Sequence, residues 1–333
     1  MQAFRYMRAT SVDMAVSAFS ASGGNARYVA GGTTLYDLMK LGVEKPTRLI
    51  DLTAVRGLDT ITTDGNALRF GAMVSMADVA RVREVRRDYP VLAESLLKAA
   101  SQQLRNMATV GGNLLQRTRC LYFRAGPGVY PCNKRQPGAG CAAIEGMDRG
   151  QAVLGTSGAC TAAAAGDWPV ALIALDALVE VRGPNGVRTM QVAALYRLPG
   201  STPEREFTLD AGEVITAVIV PKTRMGQAST YHKIRDRESY AFALASAAVA
   251  LDMEGPTVRE ARVALGGVGT VPWRARQSEA LLRGETLSPE RVREASRAAF
   301  QDARVGHHNA FKPDLGARVV AEALMIAAAR SRA

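Results

Sequence analysis

The sequence predicts an α+β protein, on three observations. Helical and extended patterns alternate along the first part of the chain in the order α-β-turn-α-β, which indicates an α/β or α+β unit. From residue 226 the pattern changes to strands followed by a run of helices. A length of 333 residues suggests about two domains, at ~150 residues each. The boundary is therefore placed near 225, giving domains 1–225 and 226–333.

Each element has a local reason. Residues 11–20 (SVDMAVSAFS) open on a Ser cap and keep helical apolar spacing. RYVAGG (27–32) is a short apolar strand running into a glycine pair. TTLYDLMKLG (33–42) returns to helical spacing and stops at Gly42. RLIDLT (48–53) and LRFGAMVS (68–75) are strands. ADVARVREV (77–85) and LAESLLKAAS (92–101) are helices. Residues 168–182 form a helix feeding a strand, and ITAVIVP (215–221) is a strand stopped by Pro221. Beyond the boundary, STYHKIR is a strand and SYAFALASAAVAL a helix. VREARVALGGV follows as a strand, with helices at 275–283, 289–302 and 314–330.

The net charge of +11 raises the question of nucleic acid. Most of the arginines alternate with acids, as in RVREVRRDY and RVREASRAAF, and read as solvated helix faces. Aromatic residues do not interleave with them, so no base-stacking platform is expected. A surface that docks acidic subunits explains the charge as well. No apolar run reaches the ~20 residues of a membrane-spanning helix, and no signal peptide is visible. The chain is expected to stay in the cytoplasm, or to leave it folded with a signal-bearing partner.

All four cysteines, Cys120, Cys132, Cys141 and Cys160, lie in one window rich in Gly and Pro. Four thiolates are what an iron–sulfur cubane needs. The window is also basic: Arg117, Arg119, Arg124, Lys134, Arg135 and Arg149 face only Glu145 and Asp148. Positive charge suits an anionic thiolate cluster. The spacing C-x11-C-x8-C-x18-C has no close pair, which disfavours zinc, and a chain this long does not need disulfide staples. Spacing alone leaves cluster, disulfides, zinc and unlinked cysteines open.

Two glycine pairs stand at turns. Ala30-Gly31-Gly32-Thr33-Thr34-Leu35 lies between a strand and a helix, and Ala108-Thr109-Val110-Gly111-Gly112-Asn113 precedes the cysteines. Such turns present backbone N–H groups to phosphate, and a helix N-terminus adds positive charge. Neither matches G-x-G-x-x-G or the P-loop. Two turns of this kind suggest a diphosphate held between two segments. No nucleophile–base pair for a substrate is visible. His307 and His308 have no partner pattern and read as solvent or subunit contacts.

These residues resemble a known family. Val29-Ala30-Gly31-Gly32-Thr33-Thr34-Leu35, the segment RNMATVGGN (105–113), Gly166-Asp167 and Tyr231-His232-Lys233 are similar to the flavin subunit of the molybdenum hydroxylases. RVALGGV (262–268) with Pro272-Trp273-Arg274 is similar to that family's C-terminal domain. The cysteine window resembles the flavin and [4Fe-4S] subunit of bacterial periplasmic aldehyde oxidoreductases.

The resemblance implies a two-part FAD-binding region of the PCMH type, not a Rossmann fold, in 1–225. It implies an iron–sulfur insertion at 117–160 and a smaller C-terminal domain of the CO dehydrogenase flavoprotein type in 226–333. It places the FAD diphosphate on 29–33, with Arg27, Tyr28, Thr34 and Leu35 beside it. Ala108, Thr109, Gly112 and Asn113 form the opposing wall. Asp167 would bond a ribityl or ribose hydroxyl, and Leu104 and Ile215 would pack on the flavin. Lys233 would favour the anionic reduced ring. Cys120, Cys132, Cys141 and Cys160 would ligate a [4Fe-4S] cluster.

The implied partners are a small [2Fe-2S] subunit and a large molybdenum-cofactor subunit, with export to the periplasm on a partner's signal. Two other readings stay open: a cytoplasmic hydroxylase of purines or heterocycles with the same FAD, and a zinc-stabilised assembly module without a redox role.

Overall fold

In a computed structural model, which describes residues 1–332, three short strands build a parallel sheet. Arg48–Asp51 lies in the middle, between Arg5–Arg8 and Ala26–Val29. The helix Val12–Ser20 connects the outer two, and the Ser11 side chain accepts from the Met14 N–H at its start. Ala15 and Val16 on this helix join Ile50, Leu52 and Ala26 in a small core. The strand Ala26–Val29 thus delivers the first glycine turn from a fixed support. The helix that follows, Leu35–Lys40, starts later than the spacing suggested.

Five antiparallel strands form the second sheet. Their order is Ile61–Thr62, Ala67–Gly71, Val214–Pro221, Leu178–Gly183 and Gly186–Gln191. Trp168 is fully buried and meets Phe70 edge-on at 6.0 Å. Around them pack the helices Pro90–Leu97 and Trp168–Ala174. The helix expected over 77–85 is two, Met76–Arg81 and Arg83–Asp88. Val82 separates them with extended backbone and packs its side chain on the same core.

The third sheet contains the clearest departure from the sequence reading. SYAFALASAAVAL was expected to be a helix, and its second half is instead the strand Ala245–Glu254. This strand is central, pairing with Ser229–Ile234 on one side and Thr257–Gly266 on the other. Ala245, Ala247, Val249 and Leu251 face one core, while Ala248 and Ala250 face another. The strand is therefore a wall between two cores, apolar on both faces. Such a strand shows no alternation, and alanine's helix propensity yields to the tertiary pairing. The helices Arg276–Leu282, Pro289–Ala298 and Lys312–Arg330 complete this part.

The cysteine window has little regular structure beyond the short helix Leu121–Arg124. It is nevertheless fastened at several points. Val153 and Leu154 donate to the Val268 carbonyl, and Arg304 donates to the Val153 carbonyl. The buried Asp148 carboxylate accepts from the backbone N–H groups of His307 and His308 at 2.8 and 2.7 Å. Asp148→Ala leaves those two donors without their acceptor. We expect a loss of about 1–3 kcal/mol in denaturant unfolding. A change below about 0.5 kcal/mol, the range of ordinary surface substitutions, would mean that the clasp contributes nothing.

Candidate FAD site and cysteine cavity

The two glycine turns face each other across a cleft of about 1290 Å³. Sixteen of the residues singled out by sequence line it: Arg27, Tyr28, Val29, Ala30, Gly31, Gly32, Thr33, Thr34, Leu35, Leu104, Ala108, Thr109, Gly112, Asn113, Asp167 and Ile215. The volume exceeds the usual span for small-ligand sites, as a dinucleotide requires.

The glycines have separable tasks. A Cβ on Gly31 would fall 1.7 Å from the Met107 carbonyl oxygen, so Gly31 is where the two turns touch. Gly32 has φ +72, a left-handed conformation that glycine adopts without strain. A Cβ on Gly111 would lie 2.6 Å from the Ala72 Cβ, so this glycine seats the second turn on the sheet below. The Thr109 side chain accepts from the Gly112 N–H and caps the short helix Val110–Leu114.

The cleft fits a ligand rich in donors and acceptors. The backbone N–H groups of 31–34 donate to no acceptor among the described residues. Asn113 Oδ1, Arg119 Nε and Arg124 Nη1 are buried and have no hydrogen-bond partner among those residues. All three belong to residues lining the cleft. Buried polar atoms of native proteins are normally paired, so these three are open valences beside the cleft, shielded from solvent and met by a ligand after a small side-chain turn. FAD offers hydroxyls, ring nitrogens and phosphate oxygens that match them.

Lys233 is placed differently from the other named residues. It does not line the cleft but stands behind Asp167, which does. Its Nζ donates to Asp167 Oδ2 and to the Lys98 carbonyl, each at 2.9 Å. Asp167 Oδ1 accepts from the Tyr231 hydroxyl at 2.6 Å, and that hydroxyl also meets Ser246. Burial pushes the Asp167 carboxyl above the usual carboxylate range, while Lys233 and Tyr231 pull against it. Lys233 and Tyr231 thus fix the orientation of Asp167 toward the cleft.

The four cysteines come together. Cys120, Cys132, Cys141 and Cys160 line one small cavity, and all four are free thiols. Cys132 and Cys141 face each other across an isolated antiparallel bridge. Gln151 Nε2 donates to Cys120 Sγ at 3.4 Å, and the Ala162 N–H to Cys160 Sγ at 3.5 Å. Burial raises the Cys120 thiol and pushes Cys160 up to about 11. Among the described residues, no group of three or more His, Cys, Asp or Glu side chains is placed to hold a metal ion. His307 and His308 lie apart from this cavity, exposed, with His308 Nδ1 3.1 Å from Asp148.

Sequence reasoning missed several wall residues of the cleft: Asp37, Arg117, Arg119, Arg124, Glu206, Tyr240 and Phe242. Arg117, Arg119 and Arg124 were noted, but as charge serving the cysteines. Their carboxylate partners, Asp37 for Arg119 and Arg124, and Glu44 and Glu206 for Arg117, come from distant parts of the chain.

Comparison with known proteins adds the family. Residues 2–223 match the FAD binding domain in molybdopterin dehydrogenase, and residues 229–327 match the CO dehydrogenase flavoprotein C-terminal domain. The chain is 46% identical over 334 residues to the aldehyde oxidoreductase FAD-binding subunit PaoB of Escherichia coli, covering 99% of this chain and 100% of that one. It is 27% identical over 297 residues to the carbon monoxide dehydrogenase medium chain of Hydrogenophaga pseudoflava, covering 89% and 86%. A solved structure of CO dehydrogenase from that organism superimposes with a TM-score of 0.78 at 27% identity, covering 99% of this chain and 98% of that one. The chain therefore belongs to the FAD-binding medium subunits of the molybdenum hydroxylase family, the flavin-carrying parts of oxidoreductase complexes.

Proposed function

We propose that this chain is the electron-outlet subunit of a molybdenum-dependent aldehyde oxidoreductase, with a [4Fe-4S] cluster on Cys120, Cys132, Cys141 and Cys160 beside its FAD. The observation that carries this reading is the convergence of all four thiols of the chain on one cavity near the FAD cleft. A third, narrow space is lined by residues of both. It shares Lys134, Cys160 and Ala162 with the cysteine cavity, and Gln116, Ala165, Glu206 and Phe207 with the cleft.

Four thiols on one cavity are the number and kind of donor that a cubane takes. A zinc ion holds all its thiolates about 2.3 Å from one point. In a cubane each cysteine binds a different iron, so the sulfurs stand farther apart. Metal analysis, iron with acid-labile sulfide against zinc, separates the two readings. The two N–H donors on Cys120 and Cys160, and the nearby Lys134 ammonium, would stabilise bound thiolate.

When bound, FAD supplies the exchange between two-electron and one-electron transfer. The chain's residues bind and orient it. The two turns set the width of the diphosphate slot, Asp167 is locked by Lys233 and Tyr231, and Leu104 and Ile215 supply apolar wall. Glu206 pairs with Arg117 and, through its other oxygen at 2.9 Å, with Lys134. This chain of charges runs from the flavin cleft to the cysteine cavity.

Aldehyde as substrate rests on the name of the Escherichia coli relative. The partners are a small [2Fe-2S] subunit and a large molybdenum-cofactor subunit, and the complex is exported to the periplasm on a partner's signal. Cell fractionation after co-expression of all three chains would test that location, and a wholly cytoplasmic complex would overturn it.

Anaerobically purified protein should contain about four irons and four sulfides per chain. Cys141→Ser should lose the paramagnetic signal that appears on reduction. Zinc in place of iron, or a full signal in Cys141→Ser, would overturn the assignment. Aldehyde oxidation by the isolated chain would overturn the outlet role.

A further inference from the structure

Two guanidinium groups reach out of the cysteine segment into the wall of the FAD cleft. Arg119 and Arg124 both lean on one carboxylate, Asp37. Arg124 Nη2 hydrogen-bonds to Asp37 Oδ2, and Arg119 Nη1 lies 3.5 Å from the same oxygen. One carboxylate cannot neutralise two cations, so this group carries a net positive charge on a wall that elsewhere holds Glu204, Glu206, Glu213 and Asp236. Burial and the neighbouring Arg124 both hold Arg119 below its usual range. The Phe242 ring, 4.9 Å from the guanidinium carbon, supports Arg119 from the other side.

Among the described residues each arginine also has one donor without an acceptor, which a small turn of the guanidinium would bring to the cleft. Arg119 Nε and Arg124 Nη1 are buried without a partner among the described residues. Leaving a charged donor unpaired in a buried place is costly, and an anionic acceptor would remove the cost. Asp37 lies one helical turn past Thr34, where the first glycine turn ends. The unpaired N–H groups of 31–34 are therefore close in sequence and line the same cleft. Guanidinium groups and free backbone N–H groups together form a phosphate-binding set.

We propose that Arg119 and Arg124 bind the diphosphate of FAD, so that the cysteine segment supplies part of the flavin site. This goes beyond the proposed function and does not depend on a cluster; it needs only the FAD site. Its consequence is that flavin retention depends on the fold of residues 117–124. Loss of that fold would release FAD even with both glycine turns intact.

The test uses flavin-free full-length protein, with FAD binding read by fluorescence quenching and ADP as competitor. ADP carries the diphosphate without the flavin ring. Arg119→Gln and Arg124→Gln should each weaken FAD and ADP by about tenfold or more, the range of a charge-assisted hydrogen bond. Arg124→Lys should recover part of that loss. Raised salt should weaken ADP binding by the wild-type protein more steeply than by the double variant.

Unchanged affinities in the Gln variants would overturn the proposal. So would weakened FAD binding with unchanged ADP competition, because the arginines would then touch another part of the cofactor. Circular dichroism of the flavin-free variants checks their fold. Should the Gln variants fail to fold, the Lys variant and the wild-type salt dependence decide. Salt-independent ADP binding would then overturn the proposal.

Discussion

Gly31→Ala is expected to yield a folded chain that has lost its FAD. The new Cβ would lie 1.7 Å from the Met107 carbonyl oxygen and 2.6 Å from its carbon, both backbone atoms. Neither can swing away as a side chain tip could. The two glycine turns must separate, and their separation is the width of the diphosphate slot. Overpacking of this kind costs about 3 kcal/mol, or about 100-fold in FAD affinity. Gly32→Ala should be milder. Its Cβ would meet only a Val29 methyl at 3.7 Å, leaving the strain of φ +72 at about 1–2 kcal/mol. Flavin absorbance per chain after purification measures both. Wild-type flavin content in Gly31→Ala would show that the contact between the turns does not set the slot.

Lys233→Met should destabilise the whole chain. The ammonium and the Asp167 carboxylate have side-chain exposures of 1% and 6%, so their pair is hidden from water. Removing the cation strands a buried carboxylate, which costs about 3–5 kcal/mol. The double variant Asp167→Asn with Lys233→Met should recover a large part, because no uncompensated charge remains. Urea unfolding of the flavin-free protein would measure the cycle without interference from cofactor binding. A Lys233→Met loss of only about 1 kcal/mol, the upper range for an exposed pair, would refute this account. The single variant should also bind FAD less tightly, since Asp167 would be free to turn or to take up a proton.

Much of the site is legible in the sequence because its signals are local. A glycine pair between a strand and a helix announces a turn that can accept phosphate, and both such turns line the cleft. Confinement of all cysteines to one window announces that they can meet, and they do. What is not legible depends on partners far apart in the chain. The different duties of Gly31 and Gly32 follow from where Met107 lies, which no local pattern encodes. Arg119 and Arg124 sit beside a cysteine in sequence, yet their carboxylate is Asp37. Lys233 was placed near the flavin because the motif includes it, and only the fold shows Asp167 standing between. The strand Ala245–Glu254 was misread for another reason. Alternation exposes a strand only when its two faces differ, and here both are buried.

The run of residues 160–167, Cys-Thr-Ala-Ala-Ala-Ala-Gly-Asp, begins in the cysteine cavity and ends at the FAD cleft. Covalent geometry makes it a tether: seven residue steps at full extension span about 25 Å at most. With a cluster on Cys160, as proposed, that length caps the separation of the cluster's anchor from Asp167 at the cleft. No rearrangement of subunits can widen it beyond the cap. Distances to centres in other chains have no such limit and vary with docking. Assembly can therefore change the reach between this chain and its partners without limit from covalent geometry, but the reach between its own two sites only within the tether.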